Sequence, residues 1–414
     1  MYLDNFKKIS HLWKVPWRRT LAIIFFAELM SAVGFSSIFP FLPLYVESLG
    51  SSFGISLEFL AGMVFSAQAF TMMLASPVWG ALADRYGRKL MVERATFGGT
   101  VILLLMAYVR SGEELVLLRA IQGLITGTVA ANNALVASVV PRDRMGFAMG
   151  TLQVGQGAGV ALGPVIGGLI ADLYGYNYAF YVTAAMLFLA GILVYFGVEE
   201  KFIVDETHKQ QGKSFISRWG HVIHAPGVPV TYGLRFLTQL GRMMIIPIAP
   251  LFVRQLLSAG ARVNTFTGLV IGVSAAATII SSFFLGSLGD RVGHRRVFII
   301  CSVFAAALYL PQAAVNHAWQ LLALQALVGV ALGGIIPAIS ALLANYTEAG
   351  EEGAVYGLDN SINSGARSIA PLVGSAIAIS FGLRATFSAT AVIFFLTALF
   401  AIRQLPKRPS KSPF

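Results

Sequence analysis

Twelve apolar runs, each about 20 residues or longer and so able to cross a hydrocarbon core of about 30 Å as a helix, follow one another along the 414-residue chain. They lie near 20–45, 57–82, 90–109, 114–139, 145–171, 177–197, 229–253, 264–287, 296–314, 318–343, 353–380 and 383–402. No other feature restricts the fold as strongly, because a segment in lipid must satisfy its own backbone hydrogen bonds and a helix does so. Composition agrees: 12% of residues are charged, against about 25% in an average soluble domain. An all-α membrane protein with twelve transmembrane helices is expected. Residues 1–19 lack a small-residue cleavage site, and the first run carries Glu28 and ends in FPFLPLYVE, so this span is expected to stay in the chain.

Lysine and arginine placement orients the spans. With the N-terminus in the cytoplasm, 21 of the 30 Lys and Arg residues fall in cytoplasmic segments. Four (Arg110, Arg254, Arg262, Arg384) fall outside and five (Arg94, Arg119, Arg235, Arg242, Arg367) within spans. That asymmetry is the positive-inside pattern, and it places a multi-pass chain in the cell (inner) membrane with both termini cytoplasmic. The net charge of +11 then serves topology and anionic headgroups. A nucleic-acid partner is not expected, since no basic cluster is interleaved with base-stacking aromatics on a soluble domain. Trp13 and Trp17 among Lys7, Lys8, Lys14, Arg18 and Arg19 read as an interfacial anchor.

Several chemistries drop out. The single cysteine, Cys301, lies in an apolar run, so neither an intrachain disulfide nor a cysteine metal cluster can form. His221 and His224 share a helix-like spacing in a polar linker and read as solvated, so no metal site is expected. No GxxxxGK[ST] stretch is present. The glycines at 155–168 follow no strand and precede no acid about 20 positions on, which excludes a dinucleotide fingerprint. No cofactor is expected.

The longest polar stretch, Glu199 to Pro226, divides the runs into two sets of six. The organisation read from this is an amphipathic N-terminus (1–19), an N-terminal bundle (20–198), a linker (199–228), a C-terminal bundle (229–403) and a basic tail (404–414). At an offset of 206 or 207 the halves match. Pro40, Pro43, Leu44 and Val46 fall on Pro247, Pro250, Leu251 and Val253; Gly150, Pro164, Gly167, Gly175, Phe180 and Thr183 fall on Gly357, Pro371, Gly374, Gly382, Phe387 and Thr390. Two pseudo-symmetric six-helix bundles with internal repeats are the architecture of secondary transporters, which hold substrate near the midplane between the halves.

GALADRYGRK at 80–89, LLRAIQGLITG around Arg119 and Gly123, and GQGAGVALGPVIGG at 155–168 resemble the three signature stretches of the major facilitator superfamily. The third is similar to that of its drug:proton antiporters with twelve spans, and FPFLPLYVESLG resembles the MdtG-type multidrug-resistance exporters. The resemblance implies the major facilitator fold and a transporter rather than an enzyme. It implies a monomeric proton-coupled exporter (antiporter) of small amphipathic compounds or drugs, working by alternating access on the proton gradient. Its partners would be a small-molecule substrate, protons and membrane lipids. Gln325 stands in the place of Arg119 in the second half, which confines that arginine's chemistry to the first.

Charges inside spans are costly, about 2.5–3.5 kcal/mol each at a helix centre on insertion scales, and mark function by default. Glu28, Arg119 and Asp359 are the candidates for proton coupling. Glu28, beside Phe25, Phe26, Leu29 and Met30, leads, because desolvation disfavours its charged form; an ion pair with Arg119 or another buried arginine is the structural alternative. Glu28 falls on Arg235 by the repeat. Helical spacing groups Gln122 with Arg119, Gln153 with Gln156, Gln239 and Arg242 with Arg235, and Asn360, Asn363 and Arg367 together; these side chains are the expected cavity lining. Arginines outnumber acids in the set, so export of an anionic metabolite such as a carboxylate-rich siderophore is the alternative to drug export.

The charged hinge occurs twice: Gly80, Asp84, Arg85, Gly87 and Arg88 are followed by Gly286, Asp290, Arg291 and Gly293. Asp84 ends a helix, where the dipole disfavours an acid. By the resemblance it would latch onto the start of the eleventh span, EEGAVYGLDN, in an outward-open state, with Arg85, Arg88 and Lys89 free to pair with Asp143 or lipid phosphates. In the third stretch Gly155, Gly159, Gly163, Gly167 and Gly168 permit close helix packing, and Pro164 bends the helix.

Overall fold

The computed structural model describes residues 16–200, 227–347 and 352–405. Residues 1–15, 201–226 and 406–414, which make up most of the N-terminal segment, linker and tail read from the sequence, lie outside the described residues, as do Trp13, His221 and His224.

Fifteen α-helices occupy the described residues: α1 Pro16–Ser37, α2 Leu42–Leu49, α3 Leu57–Tyr86, α4 Arg88–Met106, α5 Gly112–Ile125, α6 Thr128–Val139, α7 Met145–Tyr174, α8 Tyr176–Gly197, α9 Val228–Met244, α10 Ala249–Leu256, α11 Val263–Val292, α12 His294–Gln312, α13 Ala318–Tyr346, α14 Glu352–Phe381 and α15 Leu383–Gln404. They fall on the twelve expected spans because three spans are broken. The first is α1 and α2 and the seventh is α9 and α10, the latter pair bent by 41°. Pro40 and Pro247 lie in these breaks, and Pro43 and Pro250 in the first turns of α2 and α10, where a missing N–H is tolerated. The fourth span, read as continuous over 114–139, is instead broken at Thr126–Gly127, where Gly127 takes φ +148°. Glycine's freedom at positive φ allows that break.

Among the described residues, eight helices are long and apolar enough to cross a membrane individually, and the bent α9–α10 pair makes a ninth. The remaining spans are α4, α5–α6 and α14. These carry Glu93 and Arg94, Arg119, and Asp359 and Arg367 respectively, and the break at Gly127 leaves α5 and α6 with 14 and 12 residues, each too short to cross alone.

The repeat is visible in the packing. A Cβ at Gly159, Gly163 or Gly167 of α7 would overlap Ala32, Ser36 or Ser37 of α1, and Ser36 Oγ donates to Gly159 O at 2.9 Å. Gly374, the repeat position of Gly167, sits the same way on the Met244 carbonyl of α9. Both Pro164 and Pro371 lie inside unbroken helices. The connection after α2 is fastened to the start of α5 by Glu113. The Ser51 hydroxyl donates to its carboxylate at 2.5 Å and the Ser52 and Phe53 N–H groups donate as well. These bonds, Ser51 first, hold Glu113 down to about 2.

Candidate functional site

In the N-terminal half, Glu28 on α1 is 2% exposed. Its Oε2 accepts a hydrogen bond from Asn132 Nδ2 of α6, and no cation is within ion-pair distance of it among the described residues. Asn132 is equally enclosed, and its Oδ1 has no partner among the described residues. Arg119 on α5, 1% exposed, forms a separate group. Its Nε donates to Val64 O at 3.0 Å, Nη1 to Gln122 Oε1 at 2.6 Å and Nη2 to Gln68 Oε1 at 2.5 Å. Three neutral oxygens thus take the place of water around the guanidinium, and Glu28 is not its counterion here.

The C-terminal half uses an ion pair. Arg235 Nε lies 2.9 Å from Asp359 Oδ1, and its Nη2 donates to Ser340 Oγ at 2.9 Å. The charge on the first or seventh span therefore bonds a polar side chain on the fourth or tenth in both halves. Arg242 donates to Gln239 at 3.3 Å and has Arg367, Tyr309 and Arg235 as electrostatic neighbours. Among the described residues, Arg242 and Arg367 have no carboxylate within ion-pair distance. Arg367, Asn360 and Gln153 are exposed, while Gln156 and Asn363 are half-buried, the latter with its Oδ1 enclosed and unpartnered among the described residues. Gln325, in the place of Arg119, donates to Gln312 at 3.0 Å.

The halves touch on the side remote from the start of α1 and the end of α15, here the far side. A Cβ at Gly268 would overlap the Pro164 carbonyl, and one at Gly62 would meet the Pro371 carbonyl at 2.9 Å. These contacts are images of one another under the repeat. Gly168, counted from sequence among the helix-packing glycines, instead faces the other half at the Asn264 carbonyl. On the near side a Cβ at Gly80, Gly146 or Gly150 would have nothing within 4 Å among the described residues.

The doubled hinge lies on that near side. Gly87 (φ +96°) and Gly293 (φ +95°) make its two turns. The Asp84 side chain and those of Glu352 to Ala354 lie outside the described residues. Arg85 is exposed, against the Tyr86 ring. Glu200 accepts from the Arg88 and Lys89 N–H groups at 3.1 and 2.8 Å, capping α4. Lys89 Nζ donates to Tyr195 O at 2.7 Å, and its repeat counterpart Arg295 donates to Leu405 O and Ile402 O. Part of each hinge therefore fastens its own half, tying the starts of spans three and nine to the ends of spans six and twelve. Asp143 pairs with Arg144 rather than with the hinge, and Asp290 with His294 at 3.1 Å. Arg291 and Gly286 lie on the same end of α11.

The sequence reading missed Gln68, Asn132 and Ser340, which the break in span four and the cross-helix packing bring to the charges. It placed Arg94 within a span but gave it no role; its guanidinium lies 3.5 Å from the Trp79 ring centroid, with Nε and Nη1 buried and unpartnered among the described residues. Adjacent asparagines at 132 and 133 in an apolar run were the available signal for the first group.

The sequence profile of the Major Facilitator Superfamily matches residues 24–234 and 231–414. The chain belongs to this superfamily. As a major facilitator it is a multi-pass membrane transporter, not an enzyme. It is 33% identical over 395 residues to the multidrug resistance protein MdtG of Salmonella paratyphi B, covering 95% of this chain and 97% of that one. It is 34% identical over 398 residues to MdtG of Salmonella arizonae, with the same coverage. Among solved structures it resembles the nucleoside transporter NupG (TM-score 0.77, 12% identity, 93% of this chain and 98% of that one). It also resembles a D-xylose-proton symporter (TM-score 0.77, 13% identity, 95% and 99%). At those identities the structural matches establish the major facilitator fold: twelve helical spans in two pseudo-symmetric bundles.

Proposed function

We propose that this major facilitator is a proton-coupled exporter of small amphipathic compounds or drugs, working by alternating access with Glu28 as its proton carrier. Similarity to the MdtG proteins along nearly the whole chain supports the substrate class and the direction. The observation that carries the proton step is the Glu28–Asn132 pair. A carboxamide offers a donor and an acceptor side by side. A carboxylate can use only the donor, whereas a carboxylic acid can use both. The unpartnered Asn132 Oδ1 is suited to the proton of a neutral Glu28. With the termini in the cytoplasm, as lysine and arginine placement indicates, the contacts of Gly268 with Pro164 and of Gly62 with Pro371 join the halves on the side away from the cytoplasm, which suits a state that loads substrate from the cytoplasm. One proton moving down 100 mV supplies about 2.3 kcal/mol, enough at about 1.4 kcal/mol per tenfold for a roughly fiftyfold gradient of an uncompensated solute.

Arg119 supports this cycle as a fixed positive charge in the N-terminal half. Arg119→Lys keeps the charge but reaches fewer of the three acceptors, so it retains part of the transport rate. Arg119→Ala strands Gln68 and Gln122 and loses at least about tenfold, by the cost of leaving buried polar partners unmade. Flux measurements on both variants check this; equal rates in wild type and both variants would remove Arg119 from the mechanism.

A second reading is favoured by Arg242 and Arg367, two guanidiniums without carboxylate partners among the described residues. They suit an anionic substrate, as in export of a carboxylate-rich metabolite. Proteoliposomes loaded with a lipophilic cation or a tricarboxylate anion, with and without a pH gradient, separate the readings: the drug-export reading expects gradient-dependent movement of the cation, and movement of the anion alone selects the second. No gradient dependence with either would contradict proton coupling.

A further inference from the structure

The far-side closure turns on an acid placed where its own helix disfavours it. Asp172 lies in the last turn of α7, close to the unsatisfied carbonyls that make a helix C-terminus negative. Across the boundary between the halves, its Oδ1 accepts from Asn264 N at 3.3 Å and Asn264 Nδ2 at 2.7 Å. Its Oδ2 accepts from Thr265 N at 2.7 Å and Thr265 Oγ1 at 2.6 Å. Asn264 and Thr265 are the second and third residues of α11, whose N–H groups have no acceptor within the helix. Arg262, at the N-cap of α11, supplies no side-chain cap. The start of α11 is thus capped by a carboxylate from the opposite half.

We infer that Asp172 is the positioning residue that locks the far-side gate of the transport path shut. Opening that gate breaks four hydrogen bonds together, leaving two helix N–H groups uncapped and the acid beside its own helix's carbonyls. Gly168, one turn earlier on α7, lets the backbones meet, since any Cβ there would overlap the Asn264 carbonyl. A second link, the ion pair of Glu47 on α2 with Arg254 on α10, lies at the same mouth. It is more exposed, at 31% and 48% of its side chains, and contributes less. A cavity of ≈350 Å³ reaches both Glu47 and Asp172, so water can take over the carboxylate's bonds once the gate parts. The inference rests on the alternating-access part of the proposed function, not on the proton carrier or the substrate.

Pulsed electron spin resonance between nitroxides at residues 174 and 262, both exposed, tests it on the full chain in nanodiscs with Cys301 replaced by Ser. Asp172→Ala is expected to raise the ratio of far-side-open to closed molecules about thirtyfold, and Asp172→Glu to shift it much less. Thr265→Val, which removes one donor and leaves the acid, is expected to shift it the same way by a few-fold. Unchanged distance distributions in both Asp172→Ala and Thr265→Val would overturn the lock. A second label pair at 86 and 292 on the near side tests alternation separately. If far-side opening in Asp172→Ala brings no near-side closing, the lock stands and the alternating-access reading fails.

Discussion

Glu28→Gln abolishes pH-driven uphill efflux, with transport against a gradient in proteoliposomes falling at least about tenfold, while exchange of substrate down its own gradient persists. Glutamine has nearly the same shape and imitates the neutral acid. It can accept from Asn132 Nδ2 and donate to the orphaned Oδ1, so the packing of α1 against α6 is kept. What it cannot do is give up a proton. Coupling requires that the group be protonated on one face and deprotonated on the other, and a permanently neutral side chain leaves an uncoupled carrier. Uphill export at the wild-type rate would make Glu28 structural and turn attention to Asp359.

Asp359→Asn lowers the unfolding free energy by about 3 kcal/mol or more. Its carboxylate sits 2.9 Å from Arg235, with side chains 12% and 11% exposed, and removing one partner of an enclosed pair leaves the guanidinium with no counterion and only the neutral Ser340 hydroxyl as acceptor. The paired change Arg235→Gln with Asp359→Asn recovers much of that loss, because it removes both charges. Titration of the four proteins with dodecyl sulfate in mixed micelles gives the coupling between the two sites. If Asp359 titrates during transport instead of holding Arg235, the single variant unfolds like wild type but loses pH dependence.

How far the sequence spoke depended on range. The lengths of the apolar runs are local properties and mark all twelve spans. The proline pairs at 40/43 and 247/250 coincide with the breaks that separate α1 from α2 and α9 from α10. The break at Gly127 escaped notice because an apolar helix interior and an apolar helix end look alike when only one glycine differs between them. At the candidate site the charged residues announced themselves by their cost in lipid. Their neutral partners Gln68, Asn132 and Ser340 did not, since a lone amide or hydroxyl in a span is cheap and becomes informative only once a neighbouring helix sets a charge against it. Asp172 shows the same limit from the other side. It is an acid at a helix end, the anomaly that singled out Asp84, but its partners stand 92 and 93 residues away and no repeat drew attention to it.

The central claim is that Glu28 carries the transported proton, and difference infrared spectroscopy tests it without reference to substrate. In wild-type protein at neutral pH, the Glu28 carboxyl is expected to give a protonated C=O stretching band that is missing in Glu28→Gln. Asn132→Leu, which removes the amide, should shift that band, and raising the pH should convert it to carboxylate. Spectra of wild type and Glu28→Gln that coincide throughout the carboxyl region would mean that Glu28 is ionised in this state, and would contradict the account.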